Sequence, residues 1–161
     1  FSTIRDLNGI YRKYPALHSQ DFDWEGFEWI DCHDAQNSVL VYLRRVDDQF
    51  LVVALNFTPV PRDAYRIGVP AGGIYEEVLN SDAADYWGSG VGNGARLLEA
   101  EDLPWMERSH SLEISLPPLA GIVLKLKTPL KVETSKDPSE DASMDPVEES
   151  SADPENEDGE T

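Results

Sequence analysis

Cysteine and basic residues are scarce in this 161-residue chain, and long apolar runs are missing. Thirteen lysines and arginines stand against 31 aspartates and glutamates, a formal charge of −18. Such a surface repels phosphate backbones, so nucleic acid is not expected as a partner. Anionic membrane surfaces are disfavoured for the same reason. No apolar run reaches the ~18–20 residues that cross a bilayer, and the N-terminus lacks the basic-then-apolar order of a signal peptide. Cys32 is the only cysteine, so no internal disulfide can form, which fits a reducing, cytoplasmic setting. The three histidines, His18, His33 and His110, are scattered singly. They lack the close pairing of zinc ligands, and neither a metal nor another cofactor is expected.

What is present divides into three segments. Residues 1–24 open with an amphipathic helical pattern, Ile4, Leu7, Tyr11 and Tyr14 forming an apolar stripe among Arg5, Asp6, Asn8, Arg12 and Lys13. Thr3 and Asp6 have the spacing to cap its start, and Pro15 should end it. So short a helix must dock its stripe on a partner to be stable. Because the chain enters this helix directly, as Phe-Ser-Thr without Met, it is expected to be a piece of something longer, the helix having lost its partner.

Residues 25–127 change to a period of two. Strands are expected over 27–32, 38–46, 50–57, 63–68, 74–80, 111–116 and 120–126, with Asp47-Asp48-Gln49 closing a hairpin. Short strands rich in branched and aromatic residues, separated by turn signals, imply an all-β fold, an antiparallel β-sandwich. Residues 128–161 hold twelve acidic residues, Lys131 and Lys136, and no aromatic. Ser135-Lys-Asp-Pro, Ser143-Met-Asp-Pro and Ser151-Ala-Asp-Pro repeat with a period of eight. A repeat this polar cannot offset its chain entropy by burial, so an acidic disordered tail is expected.

Several motifs carry the outline of chemistry. Cys32-His33-Asp34 resembles a nucleophile, base and orienter, but neighbours on a strand point to opposite faces, so a small buried thiol at a strand end is expected instead. The Gly88–Gly94 loop, GSGVGNG, has Asn93 where a dinucleotide loop requires glycine, and no Lys-Ser/Thr follows. A flexible excursion using left-handed glycines accounts for it. Before it stand Asn80, Asp82, Tyr86 and Trp87. An aromatic face beside amide and carboxylate groups can hold a sugar, whereas Trp87 covering a sheet edge is the structural alternative. Asn56-Phe-Thr58 matches a glycosylation triplet, which matters only in a secreted protein. Its side chains can equally satisfy backbone groups where Pro59 and Pro61 end a strand.

The run RDLNGIYRKYPALHSQDFDWEGFEWIDCHDAQNSVLVYLRR, then NFTPVPRDAYRIGVP, EEVLNSD, the Gly88–Gly94 loop and LPPL at 116–119, resemble in that order the end of bacterial glycogen branching enzymes, the 1,4-α-glucan branching enzymes. The resemblance covers about residues 1–127. It implies the all-β C-terminal domain of the α-amylase superfamily, preceded by the last helix and linker of a (β/α)8 barrel. The family moves α-1,4 glucan segments into α-1,6 linkage in glycogen biosynthesis, as a retaining carboxylate pair can. Those carboxylates belong to the barrel, so no catalytic residue is carried onto this chain, which is expected to be inactive by itself. The implied partners are an α-glucan and an upstream barrel. The family's loop usually reads Tyr-Gly-Gly-Ser-Asn, and Trp87 and Gly90 depart from it here. Two rivals remain: a free-standing carbohydrate-binding module working through Trp87, and a nonenzymatic interaction protein whose acidic tail binds a basic partner.

Overall fold

A computed structural model of the chain describes residues 2–130. Val39, Val41 and Leu43 alternate along β2 (Val39–Val46) and point one way, as do Val52 and Ala54 along β3 (Gln49–Asn56). The two strands pair without slippage from Val39 opposite Asn56 to Val46 opposite Gln49. Asp47 turns this hairpin in the left-handed region (φ 49°), which a short polar side chain tolerates. β1 (Phe27–Asp31) pairs with β2 on one side. On the other, β8 (Ala120–Pro129) lies between β3 and β5 (Gly73–Asn80), and β6 (Leu98–Glu99) forms the far edge. A second, two-stranded sheet joins β4 (Arg62–Val69) to β7 (His110–Leu116). All pairings are antiparallel.

The expected strands lie within one residue of the observed ends, with two exceptions. β8 continues past residue 126 to Pro129 because Gly73 and Ile74 offer it further partners. β6 is too short to leave a periodic signal. The acidic octads lie outside the described residues.

The core is the space between the sheets. Ile67, Val69, Leu112, Ile114 and Leu116 of the small sheet meet Val41, Leu43, Ala54, Ile122 and Leu124 of the large one. Tyr75 is fully buried among them, its hydroxyl donating to the Ala71 carbonyl at 2.7 Å. Burial pushes that phenol well above its ordinary pKa.

Leu51, Val53 and Val123 face the other way and are also buried. Their cover is α1 (Ser2–Lys13) and the 3₁₀ turn Pro15–Leu17, which bring Ile10, Tyr14 and Leu17 onto them. The helix expected to lack a partner therefore has one within the chain. Its stripe is divided: Tyr14 docks on the sheet, whereas Ile4, Leu7 and Tyr11 stay exposed. Asp6 does not serve the expected cap; its carboxylate accepts from Arg5 and from Tyr86. Pro15 ends the helix as expected, opening the 3₁₀ turn.

Candidate functional site

The expected sugar contacts sit at the end of β5 and on the loop that follows it, and most of their polar capacity is spent there. The Asn80 Oδ1 accepts from the Asp82 N–H and its Nδ2 donates to the Val91 carbonyl, both at 2.8 Å. The Asp82 carboxylate accepts the N–H and the hydroxyl of Ser89. The Tyr86 hydroxyl donates to Asp6 on α1 at 3.1 Å. Desolvation and the neighbouring Asp6 carboxylate raise the Tyr86 pKa. Trp87 alone projects freely: it is 97% exposed and left-handed at φ 69°.

Asn93, the residue that breaks the dinucleotide pattern, is buried and binds three elements together. Its N–H and Nδ2 donate to Glu77, its Nδ2 also to the Ser115 carbonyl, and its Oδ1 accepts the Ser115 N–H at 2.9 Å. The loop expected to be a flexible excursion is thus pinned to β5 and β7. Gly90, Gly92 and Gly94 do adopt positive φ.

Cys32-His33-Asp34 does not converge. β1 ends at Asp31, and Cys32 is exposed rather than the expected buried thiol. Its Sγ lies 3.7 Å from Nδ1 of His33. Asp34 turns to other partners, accepting from the Tyr65 hydroxyl at 2.6 Å and from Asn37. No metal-holding group of His, Cys, Asp and Glu occurs among the described residues.

The NFTPVPRDAYRIGVP run is the connection between the two sheets followed by β4, as expected from its prolines. Asn56 is 2% exposed. Its Nδ2 donates to the Val60 and Pro117 carbonyls at 2.9 and 3.0 Å, and its Oδ1 accepts from the N–H and hydroxyl of Thr58 at 3.0 and 2.8 Å. A fully engaged, buried amide is no acceptor for a glycan.

Beyond Pro61 the chain forms one wall of a groove of about 650 Å³. Arg62, Asp63, Tyr65 and Arg66 face Asp31 and Asp34 from the β1–β2 connection, with Trp105 and Met106 closing the third side. Sequence reasoning did not single out this groove, because its walls come from three separate stretches and share no motif. Burial pushes the Asp34 carboxyl up, but hydrogen bonds from Tyr65 and Asn37, with Arg62 nearby, outweigh it and hold the pKa below the usual carboxylate range. A depressed folded-state pKa contributes stability present above the unfolded value, about 3.9, and lost as pH falls through the folded value. Melting temperatures measured from pH 6 down to 3 should therefore show an acid-side loss that is smaller in Tyr65→Phe than in the parent chain. Equal losses in the two proteins would remove Tyr65 from this role.

Two antiparallel sheets packed around one core define an all-β sandwich domain. Residues 29–127 match the model of the alpha-amylase C-terminal all-β domain, and the chain belongs to that family. It is similar to the 1,4-alpha-glucan branching enzyme GlgB of Nitrosococcus oceani, 56% identical over 128 residues, covering 80% of this chain and 17% of that protein. The branching enzymes GlgB of Cellvibrio japonicus and Aquifex aeolicus are 53% and 50% identical over 125 residues. These matches cover 78% and 76% of this chain, and 17% and 20% of those proteins. The chain thus spans about a fifth or less of the length of the curated relatives it matches. Among solved structures, an alpha-amylase from H. orenii is similar over 73% of this chain and 18% of its own, with 19% identity and a TM-score of 0.42.

Proposed function

We propose that this chain is the C-terminal portion of a cytoplasmic 1,4-α-glucan branching enzyme, joined in the whole protein to a catalytic (β/α)8 barrel that works on glycogen. The identity of 50–56% to branching enzymes, over most of this chain but a small part of theirs, carries the reading. The exposed Ile4, Leu7 and Tyr11 on α1 support it, because they form an apolar surface suited to the preceding barrel. In this reading residues 1–24 belong to the barrel's end and residues 25–127 buttress it. The domain stabilises the barrel and shapes the approach of long glucan chains. Trp87 supplies a sugar-stacking face, while Asn80, Asp82 and Tyr86 hold its loop in place.

The mass of the native polypeptide tests the proposal. An antibody raised against residues 25–127 should detect, in source cells, a band several times the mass of the 161-residue chain. A band at the mass of the chain alone would overturn it and favour a free-standing carbohydrate-binding module.

A further inference from the structure

We propose that the groove between the β1–β2 connection, the start of β4 and the Trp105–Arg108 turn binds a short, neutral α-glucan segment. The choice of α-glucan as ligand rests on the function proposed above; the groove's chemistry argues independently for a neutral polyhydroxylated molecule. Its volume falls within the range of about 300–1,000 Å³ typical of small-molecule sites.

Three of its side chains have capacity that the described residues leave unused. The Arg62 guanidinium has five N–H donors. Its one hydrogen bond among the described residues runs from Nη2 to the Asn37 carbonyl at a marginal 3.5 Å, and its Nε is shielded without a partner. Asp63 is exposed and makes no side-chain hydrogen bond or ion pair among the described residues. Trp105 is 46% exposed at the groove's edge, leaving an indole surface for stacking. A sugar presents hydroxyls that both donate and accept, together with an apolar C–H face, and this set matches both.

Charge narrows the ligand further. Arg66 is matched by Glu101 and Glu113, so Asp31, Asp34 and Asp63 outnumber the remaining Arg62. A phosphorylated sugar would meet that excess of like charge, whereas a neutral glucan would not.

Backbone geometry around the groove is also unusual. Ala64 on one wall and Met106 and Glu107 on another are left-handed without being glycine (φ 52°, 49° and 60°). Gly68 permits the second of these walls, because a Cβ there would run into the Trp105 carbonyl. Strained positions persist where surrounding structure holds them and concentrate at ligand clamps. None of the lining residues belongs to α1, so covering Ile4, Leu7 and Tyr11 would not use up the groove's own walls.

The test is a titration of the full 161-residue chain with maltoheptaose, read by amide chemical shifts. Perturbations are expected at residues 31–37, 62–66 and 105–106, with binding read at these amides about tenfold weaker in Trp105→Ala. Should Trp105→Ala lose its folded spectrum, Asp63→Ala provides the second variant, with an expected weakening of about threefold. Glucose 1-phosphate should shift the same amides less than maltoheptaose. The groove assignment is overturned by perturbations confined to the Trp87 loop, by unchanged affinity in the groove variants, or by no shift up to millimolar maltoheptaose. None of those results bears on the native mass, so the branching-enzyme reading can stand or fall separately.

Discussion

Asn56→Ala is expected to destabilise the chain by about 2–4 kcal/mol, although no contact to a ligand is lost. The side chain makes four hydrogen bonds, and their partners lie on both sides of a sheet-to-sheet crossing. Removing the amide strands the Pro117 carbonyl in a buried position, while Thr58 and Val60 recover part of their loss from water. The same crossing is held by a backbone bond from the Leu119 N–H to the Thr58 carbonyl at 2.8 Å. Two stretches that carried the family resemblance, NFTPVP and LPPL, therefore form one structural unit. Asn56→Asp keeps the acceptor towards Thr58 but places a carboxylate against the Val60 and Pro117 carbonyls. It should be at least as damaging at neutral pH, and acidification should partly relieve it. Urea unfolding followed by tryptophan fluorescence gives both values. A loss under about 0.5 kcal/mol in Asn56→Ala, the usual range of an indifferent surface change, would contradict this account.

Tyr75→Ala should cost more, about 3–5 kcal/mol, because it empties the middle of the core. The ring is fully buried, and Phe50 lies 6.3 Å away between ring centroids. Its neighbours belong to strands pinned on both sides, so the space can collapse only in part. Tyr75→Phe separates the two contributions of the side chain. It retains the ring and loses only the bond to Ala71, for an expected cost of about 1 kcal/mol. Equal losses in the two variants would show that the hydroxyl, not the ring, sustains this part of the core.

Much of the architecture was legible because it depends on local order. Apolar residues at every second position made β7 visible, short runs of branched and other apolar residues made β2 and β3 visible, and the prolines at 59 and 61 marked where the chain leaves β3. Pro15 marked the end of α1 through the conformation it denies its neighbour. β6 escaped notice because two residues make no period. The end of β8 was set by strand partners at Gly73 and Ile74, which lie more than fifty residues away in the chain.

Side-chain roles were less accessible. Asn80, Asp82, Tyr86 and Trp87 form a polar-aromatic group in the sequence. In space the first three are committed to backbone, Ser89 or α1, and Trp87 stands by itself. Cys32 looked like an interior thiol until the strand was seen to stop at Asp31. The groove residues gave no motif at all, since Asp34, Arg62 and Trp105 meet only after both sheets have formed.

By itself the sequence determined the two-period division of the chain, the antiparallel strands, the absence of a disulfide and the kinship with branching enzymes. These follow from residue order over a few positions, or from similarity along the whole run. The tertiary structure alone decided which face of α1 is covered, which amides and carboxylates are already engaged, and which groove groups lack a partner among the described residues. Those outcomes depend on pairing between distant segments, because a hydrogen-bonding group is available to a ligand only when folding has left it without a partner.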